Sequence, residues 1–251
     1  MKEINLSLVA FYGDKPTELF DLITKLQTHL ANHSLLVNKF IPYQIEQVHG
    51  TIIGCEGWKT DSGIVDRWFK DRRKETKYIN LSGLLNYLQQ IDLSLTVRFG
   101  GYNPQTNYNF LSRGQHLSDR SFQLQAADSN TIPVLIGWSW QNNTVTLAID
   151  ELRRNFQQFG LLHKYHNASD SVDNDFYLRL GTIGTKLSTS EIDLISTDVR
   201  DLLSTFTVSI PLSLNNLAFA KYQDLQLTPE TTKVVPVASI TASQLKQLYF
   251  L

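Results

Sequence analysis

Two short stretches of the chain place hydrogen-bonding side chains two residues apart inside otherwise apolar runs. The first, Val48-His-Gly-Thr-Ile-Ile-Gly54, carries His49 and Thr51; the second, Phe176-Tyr-Leu-Arg-Leu-Gly-Thr-Ile183, carries Tyr177 and Arg179. Residues i and i+2 of a strand share a face, so each stretch offers one apolar face to a core and one polar face to something else. The residue types suit an anion. An imidazole with a pKa of about 6.5 moves protons at neutral pH, a guanidinium clamps paired oxygens, and the two hydroxyls donate hydrogen bonds. A phenol near pKa 10 needs a neighbouring cation before it serves as an acid at neutral pH. A structural histidine and a solvated sheet face are the competing readings. His116-Leu-Ser118 repeats the His-x-Ser/Thr pattern inside a polar stretch, so the pattern alone does not single out a site.

The elements that must position these groups follow from periodicity. Residues 4–11 alternate as a half-buried strand, and 16–33 repeat Leu19, Leu22, Ile23, Leu26 and Leu30 at helical spacing behind Pro16. Strands are expected at 48–54, 93–99, 121–125, 134–140, 176–183, 206–212, 217–225 and about 234–237. Helices are expected at 80–91, at 146–159 with Gly160 as C-cap, at 189–203 with Ser190 as cap, and as one last turn near the end. Several strand pairs lie too close for helical crossovers, which predicts an α+β fold with mixed or antiparallel sheets. No linker or repeat divides the chain, so residues 1–251 read as one bilobed domain.

Totals set further bounds. The chain has 251 residues, a formal net charge of −1 and 42% hydrophobic residues, so no global basic field advertises nucleic acid, although a local groove can hide in balanced totals. The single cysteine, Cys55, excludes an internal disulfide and suits a reducing compartment, so a cytoplasmic location is expected. No run approaches the roughly 18 apolar residues of a membrane span, and residues 1–11 read as a strand rather than a leader. A long polar loop, 101–119, leads to Arg120; Arg113, His116 and Arg120 are placed to close over a groove and contact a polyanion. His163-Lys-Tyr-His166 precedes Asp170, Asp173 and Asp175, but no third ligand has the spacing of a metal site, so no metal is expected. One of these histidines could instead bring an acid or base from a loop. Trp58, Trp138 and Trp140 could stack on a base, with core packing as the default. Phosphate-cradling glycine loops and Gly-x-Ser-x-Gly elbows are absent, and no cofactor is implied.

His49-Gly-Thr51 within an apolar strand resembles the first motif of the two-histidine phosphoesterases, the superfamily of 2′,3′-cyclic-phosphate RNA phosphodiesterases. The resemblance extends through element order: Leu95-Thr-Val-Arg-Phe-Gly-Gly101, the strand at 134–140, the helix at 146–159, then Phe176-Tyr-Leu-Arg-Leu-Gly181 in the place of the second motif. It implies two pseudo-symmetric lobes facing across a groove, with two sheets inside and helices outside. It also implies in-line attack on a cyclic phosphodiester, one histidine deprotonating water and the other protonating the leaving oxygen. The departure lies in the second motif, where Tyr177-Leu-Arg179 replaces His-x-Thr. The expected function is therefore binding, with slow hydrolysis at most, of an RNA terminus, cyclic nucleotide or related nucleotide. In that reading His49 is the acid/base, Thr51 a phosphate-oxygen donor, Arg179 the clamp and Tyr177 a hydrogen-bond donor. The alternative is a noncatalytic member of the fold that binds a nucleotide or a protein. A second titratable group near neutrality beside His49 discriminates between the two.

Overall fold

The computed structural model describes residues 3–250. Every strand pairing in it is antiparallel, and the strands assemble into sheets of four, eight and three strands. The fold is α+β, as expected.

The four-stranded sheet forms one wall of a cleft. Its order is Lys233–Pro236, Leu217–Lys221, Leu6–Ala10, Gly50–Gly54. Leu6–Ala10 is central and every residue in it is buried, so its near-continuous apolar run covers both faces. Gly50–Gly54 lies on the edge. Its register against Leu6–Ala10 passes from Leu8↔Ile53 to Val9↔Thr51, which skips Ile52 as a bulge.

The eight-stranded sheet forms the other wall and is organised by one long strand, Thr131–Gln141. Phe176–Arg179 pairs with it from Phe176↔Gly137 to Arg179↔Val134. Phe122–Ala126 pairs with its first half, and Leu95–Gly100 with its second at Val97↔Ser139 and Arg98↔Trp138. The expected strand at 176–183 is broken at Leu180, whose carbonyl accepts from Tyr43 N at 3.1 Å and Gln27 Nε2 at 2.9 Å. Gly181–Ile183 then pairs with a short strand, Phe40–Pro42.

The third sheet was not legible in the sequence. Glu3–Ile4 pairs with a hairpin, Gly57–Thr60 and Gly63–Asp66, turned at Gly63 with φ +139°. That segment reads as merely polar because its strands are short and carry Lys59, Thr60 and Asp66 among few apolar residues. The adjoining turn of π-helix, Phe69–Arg73, departs from the same reading.

The helices follow their stripes. Thr17–Asn32 buries Leu19, Leu22, Ile23, Leu26 and Leu30. Leu81–Gln90 starts at Asn80, whose side chain accepts from Gly83 N. Thr189–Ser204 is capped by Ser188, in a reciprocal capping box with Glu191, rather than by the expected Ser190. Ala148–Asn155 continues as a 3-10 turn to Phe159, where Gly160 takes φ +73° as the expected C-cap. Ala242–Leu248 closes the tail. No helix among the described residues is long and apolar enough to cross a membrane.

The two larger sheets meet over one apolar cluster that includes Leu8, Ile52, Phe99, Phe176 and Phe219. At its centre the Phe176 ring lies against the backbone of Gly50, where any Cβ would overlap the ring. The glycine of His49-Gly-Thr51 is thus needed for close approach of the two walls. We predict that Gly50→Ala lowers stability by roughly 1–3 kcal/mol through overpacking. Chemical denaturation should show part of that loss returned by Phe176→Leu in the same chain; no loss in Gly50→Ala would mean that the walls are not in contact there.

Candidate functional site

A cleft of about 300 Å³ runs between the walls and is lined by His49, Thr51, Tyr177 and Arg179 together. The geometry follows from the Gly50–Phe176 contact. With Gly50 and Phe176 turned to the core, their neighbours on both strands turn outward into the same space.

His49 sits just after the 3-10 turn Ile45–Gln47 and is partly buried. Its Nδ1 lies 2.7 Å from the Gln47 carbonyl, which can only accept, so Nδ1 carries the proton. Nε2 is left with the lone pair. The ring tilts against Tyr12 at 5.7 Å, and Tyr12 is held in turn by the Leu227 carbonyl at 2.8 Å. Burial lowers the imidazole pKa to about 4; the Gln47 bond opposes this, and the charges of Arg179 and Lys15 add to it. His49 is therefore a neutral ring at pH 7, set to accept a proton.

Arg179 is the cation on the facing strand. It donates to the Leu225 carbonyl at 3.2 Å and, among the described residues, forms no ion pair. Thr51 is partly buried, and its carbonyl is held by Arg153 at 3.0 Å. Among the described residues its hydroxyl has no hydrogen-bond partner.

Tyr177 lines the cleft but its hydroxyl is engaged behind it. The phenol donates to Asp175 Oδ2 at 3.0 Å and accepts from the Arg120 guanidinium. Burial, reinforced by the Asp175 charge, pushes its pKa up, and Arg120 and Arg113 only partly offset this. The nearby cations thus come from the 112–121 segment rather than from Arg179, and they do not make the phenol a ready acid.

Arg113, His116 and Arg120 do not line the cleft. Arg120 is buried and pairs with Asp175 at 3.3 Å. Arg113 reaches Asp175 at 3.5 Å and Asp173 at 3.6 Å, and stacks on Tyr165 at 4.1 Å. His116 caps the short helix Leu117–Arg120: Nδ1 accepts from Ser118 N at 3.2 Å and Nε2 donates to the Thr106 carbonyl at 2.9 Å. The loop is stitched to the sheet by these contacts.

Among the loop histidines, His166 is fully buried with Nε2 2.8 Å from Asp150 Oδ1. Burial pushes Asp150 up, yet bonds from His166, Asp173 N and Arg154 outweigh it and hold the carboxyl at about 2. His163 instead lines the cleft, as do Lys164 and Tyr165. Trp138 is buried and donates to Asp175 Oδ1 at 2.7 Å. No group of three or more His, Cys, Asp or Glu residues among those described is arranged to hold a metal.

Several lining residues carried no motif. Trp68 donates to Glu56 Oε2 at 2.9 Å and Tyr222 to Glu56 Oε1 at 2.7 Å, and all three line the cleft. Arg153 is the most consequential. It occupies the row of Ile149 and Phe156 on an otherwise apolar helical stripe, and a charge on such a stripe was the available signal.

No family model and no curated protein matches this sequence. Among solved structures, the chain is similar to the crystal structure of TT0787 of Thermus thermophilus, at 11% identity and a TM-score of 0.42, covering 92% of this chain and 94% of that one.

The depressed pKa of His49 sets a pH signature. An unfolded histidine titrates at about 6.5, whereas folded His49 titrates at about 4. Between these values the unfolded chain binds more protons, so His49 contributes stability above about pH 6.5 that is lost as pH falls toward 4. Unfolding free energies from about pH 7 to 4.5 should therefore fall more steeply in the parent than in His49→Gln. Parallel curves would contradict a neutral, desolvated His49.

Proposed function

We propose that the cleft binds the phosphate of a nucleotide, cyclic phosphodiester or RNA end, and that the chain is a diverged relative of the two-histidine phosphoesterases. The observation that carries this reading is the grouping of Arg179, free of any carboxylate partner among the described residues, with His49 and Thr51 on one concave surface. A guanidinium at that position supplies paired donors to non-bridging oxygens. Thr51 adds a hydroxyl, and the Nε2 lone pair of His49 accepts a proton.

A noncatalytic binding role is favoured by a separate observation. The group in the place of the second histidine is Tyr177, whose hydroxyl is committed to Asp175 and Arg120. If no other group replaces it, one side of the proton relay is missing and turnover is slow, since a positioned acid or base contributes about 10²–10⁴-fold.

Binding of a 2′,3′-cyclic nucleotide, measured by calorimetry, tests the phosphate reading. Arg179→Ala should weaken binding by roughly 1.5–3 kcal/mol, the worth of a charge-assisted hydrogen bond. Arg179→Lys should recover only part, because an ammonium lacks the planar fork. Equal affinity in all three proteins would remove Arg179 from the site.

A further inference from the structure

His163 and Asp173 line the same cleft as His49 and are not explained by packing alone. His163 is 5% exposed and Asp173 3%. Among the described residues neither His163 Nδ1 nor Asp173 Oδ2 has a hydrogen-bond partner, both atoms are buried, and they lie 3.5 Å apart. Buried polar atoms are paired in the great majority of cases, and each exception calls for an explanation. Each atom is the other's available partner. A small approach gives an Nδ1–H donating to the carboxylate; burial pushes the Asp173 carboxyl up, and Arg153 at 3.8 Å from Oδ1 opposes this by favouring the charged form. Nε2 of His163 makes no hydrogen bond among the described residues, which leaves it open to the cleft that His163 lines.

This repeats the arrangement of His49 by different means. In both rings Nδ1 is directed at an acceptor, the Gln47 carbonyl for one and Asp173 for the other, and Nε2 carries the lone pair. The two segments arrive from opposite walls, one ahead of Gly50–Gly54 and the other from the loop ahead of Phe176–Arg179.

We propose that His163, oriented by Asp173, is the second proton-transfer group of the cleft and replaces the function absent from Tyr177. The inference rests on the phosphate reading of the cleft. With a cyclic phosphodiester bound, His163 Nε2 takes a proton from water as the water oxygen bonds to phosphorus. The bond from phosphorus to one ribose oxygen breaks with its electron pair on that oxygen, which receives a proton from Nε2 of His49. His49 carries that proton because the bound anion draws it from solvent, and His163 later releases its own to solvent. Asp173 is a positioning residue. The groups around the His163 ring are Asp173, Arg153 from the helix, His166 at 5.3 Å, Lys164, Tyr165 at 5.7 Å and Arg113. Burial first, then the cations, hold the ring well below its ordinary pKa, so it too is a neutral acceptor in the empty cleft.

The test uses a 2′,3′-cyclic nucleotide with the full chain. His163→Gln should cut hydrolysis by roughly 10²–10⁴-fold while affinity changes little, and Asp173→Asn should shift the pH limb assigned to the base without a matching loss of affinity. Hydrolysis in a folded His163→Gln within about threefold of the parent would overturn the inference. Should His163→Gln fail to fold, or turnover be too slow to measure, the ring-nitrogen NMR shifts of His163 are read instead in the parent bound to the cyclic nucleotide. They should show a neutral ring with its proton on Nδ1 and a free lone pair on Nε2. A ring protonated on Nε2 in that complex would overturn the inference. Parent protein that binds neither the cyclic nucleotide nor inorganic phosphate would bring down the phosphate reading itself. Binding with His163-independent turnover would bring down the second histidine alone.

Discussion

The guanidinium of Arg153 holds the two walls of the cleft together. From the helix Ala148–Asn155 it donates to Ile52 O at 2.9 Å and Thr51 O at 3.0 Å on one wall, and to Asp173 O at 2.8 Å and Asp175 O at 3.0 Å ahead of the strand on the other. Only a planar fork with five N–H donors can span these positions; an ammonium cannot. The edge position of Gly50–Gly54 and the bulge at Ile52 leave backbone carbonyls in need of donors, and the arginine supplies them. Desolvating that charge is costly, and Asp173 Oδ1 at 3.8 Å together with the four carbonyls offsets the cost. His49, Thr51, His163 and Asp173 all lie in the segments that Arg153 ties together or beside them.

The same arginine-and-acid chemistry decides what charge the cleft shows. Asp175 is consumed by Arg120, Arg113, Trp138, Ser112 and Tyr177, and Asp150 by His166 and Arg154. Arg179 and Lys164 are left to face the cleft without carboxylate partners among the described residues. A chain with a formal net charge of −1 thereby offers a cationic patch beside two neutral imidazoles. Glu56 also lines the cleft, as an acid. Glu56 accepts from Trp68 and Tyr222, and burial raises nearby Asp66 to about 7, with the Glu56 charge adding to it against bonds from Phe69, Leu162 and Trp68 backbone.

Much of the architecture was legible locally. Period-2 alternation at 48–54 and 176–183 and the stripe of Thr17–Asn32 are properties of backbone geometry that any neighbours would preserve. The hairpin Gly57–Thr60 and Gly63–Asp66 was not legible, because four-residue strands carry too few apolar positions to alternate visibly. The break at Leu180 was also hidden. It arises from Gln27 and Tyr43, residues far away in sequence that claim its carbonyl.

By itself the sequence determined the α+β class, the faces of the two polar pairs and the glycine between His49 and Thr51, since these depend on side-chain alternation and on local sterics. Only the tertiary structure decided which polar groups meet. Tyr177 is bound through Asp175 to Arg120, Arg113 turns to the same acids, and His163 rather than His166 reaches the cleft. Hydrogen-bond and ion-pair partners are chosen by distance in space, and nothing in the spacing of Arg120, Arg153 and Asp173 along the chain states that distance.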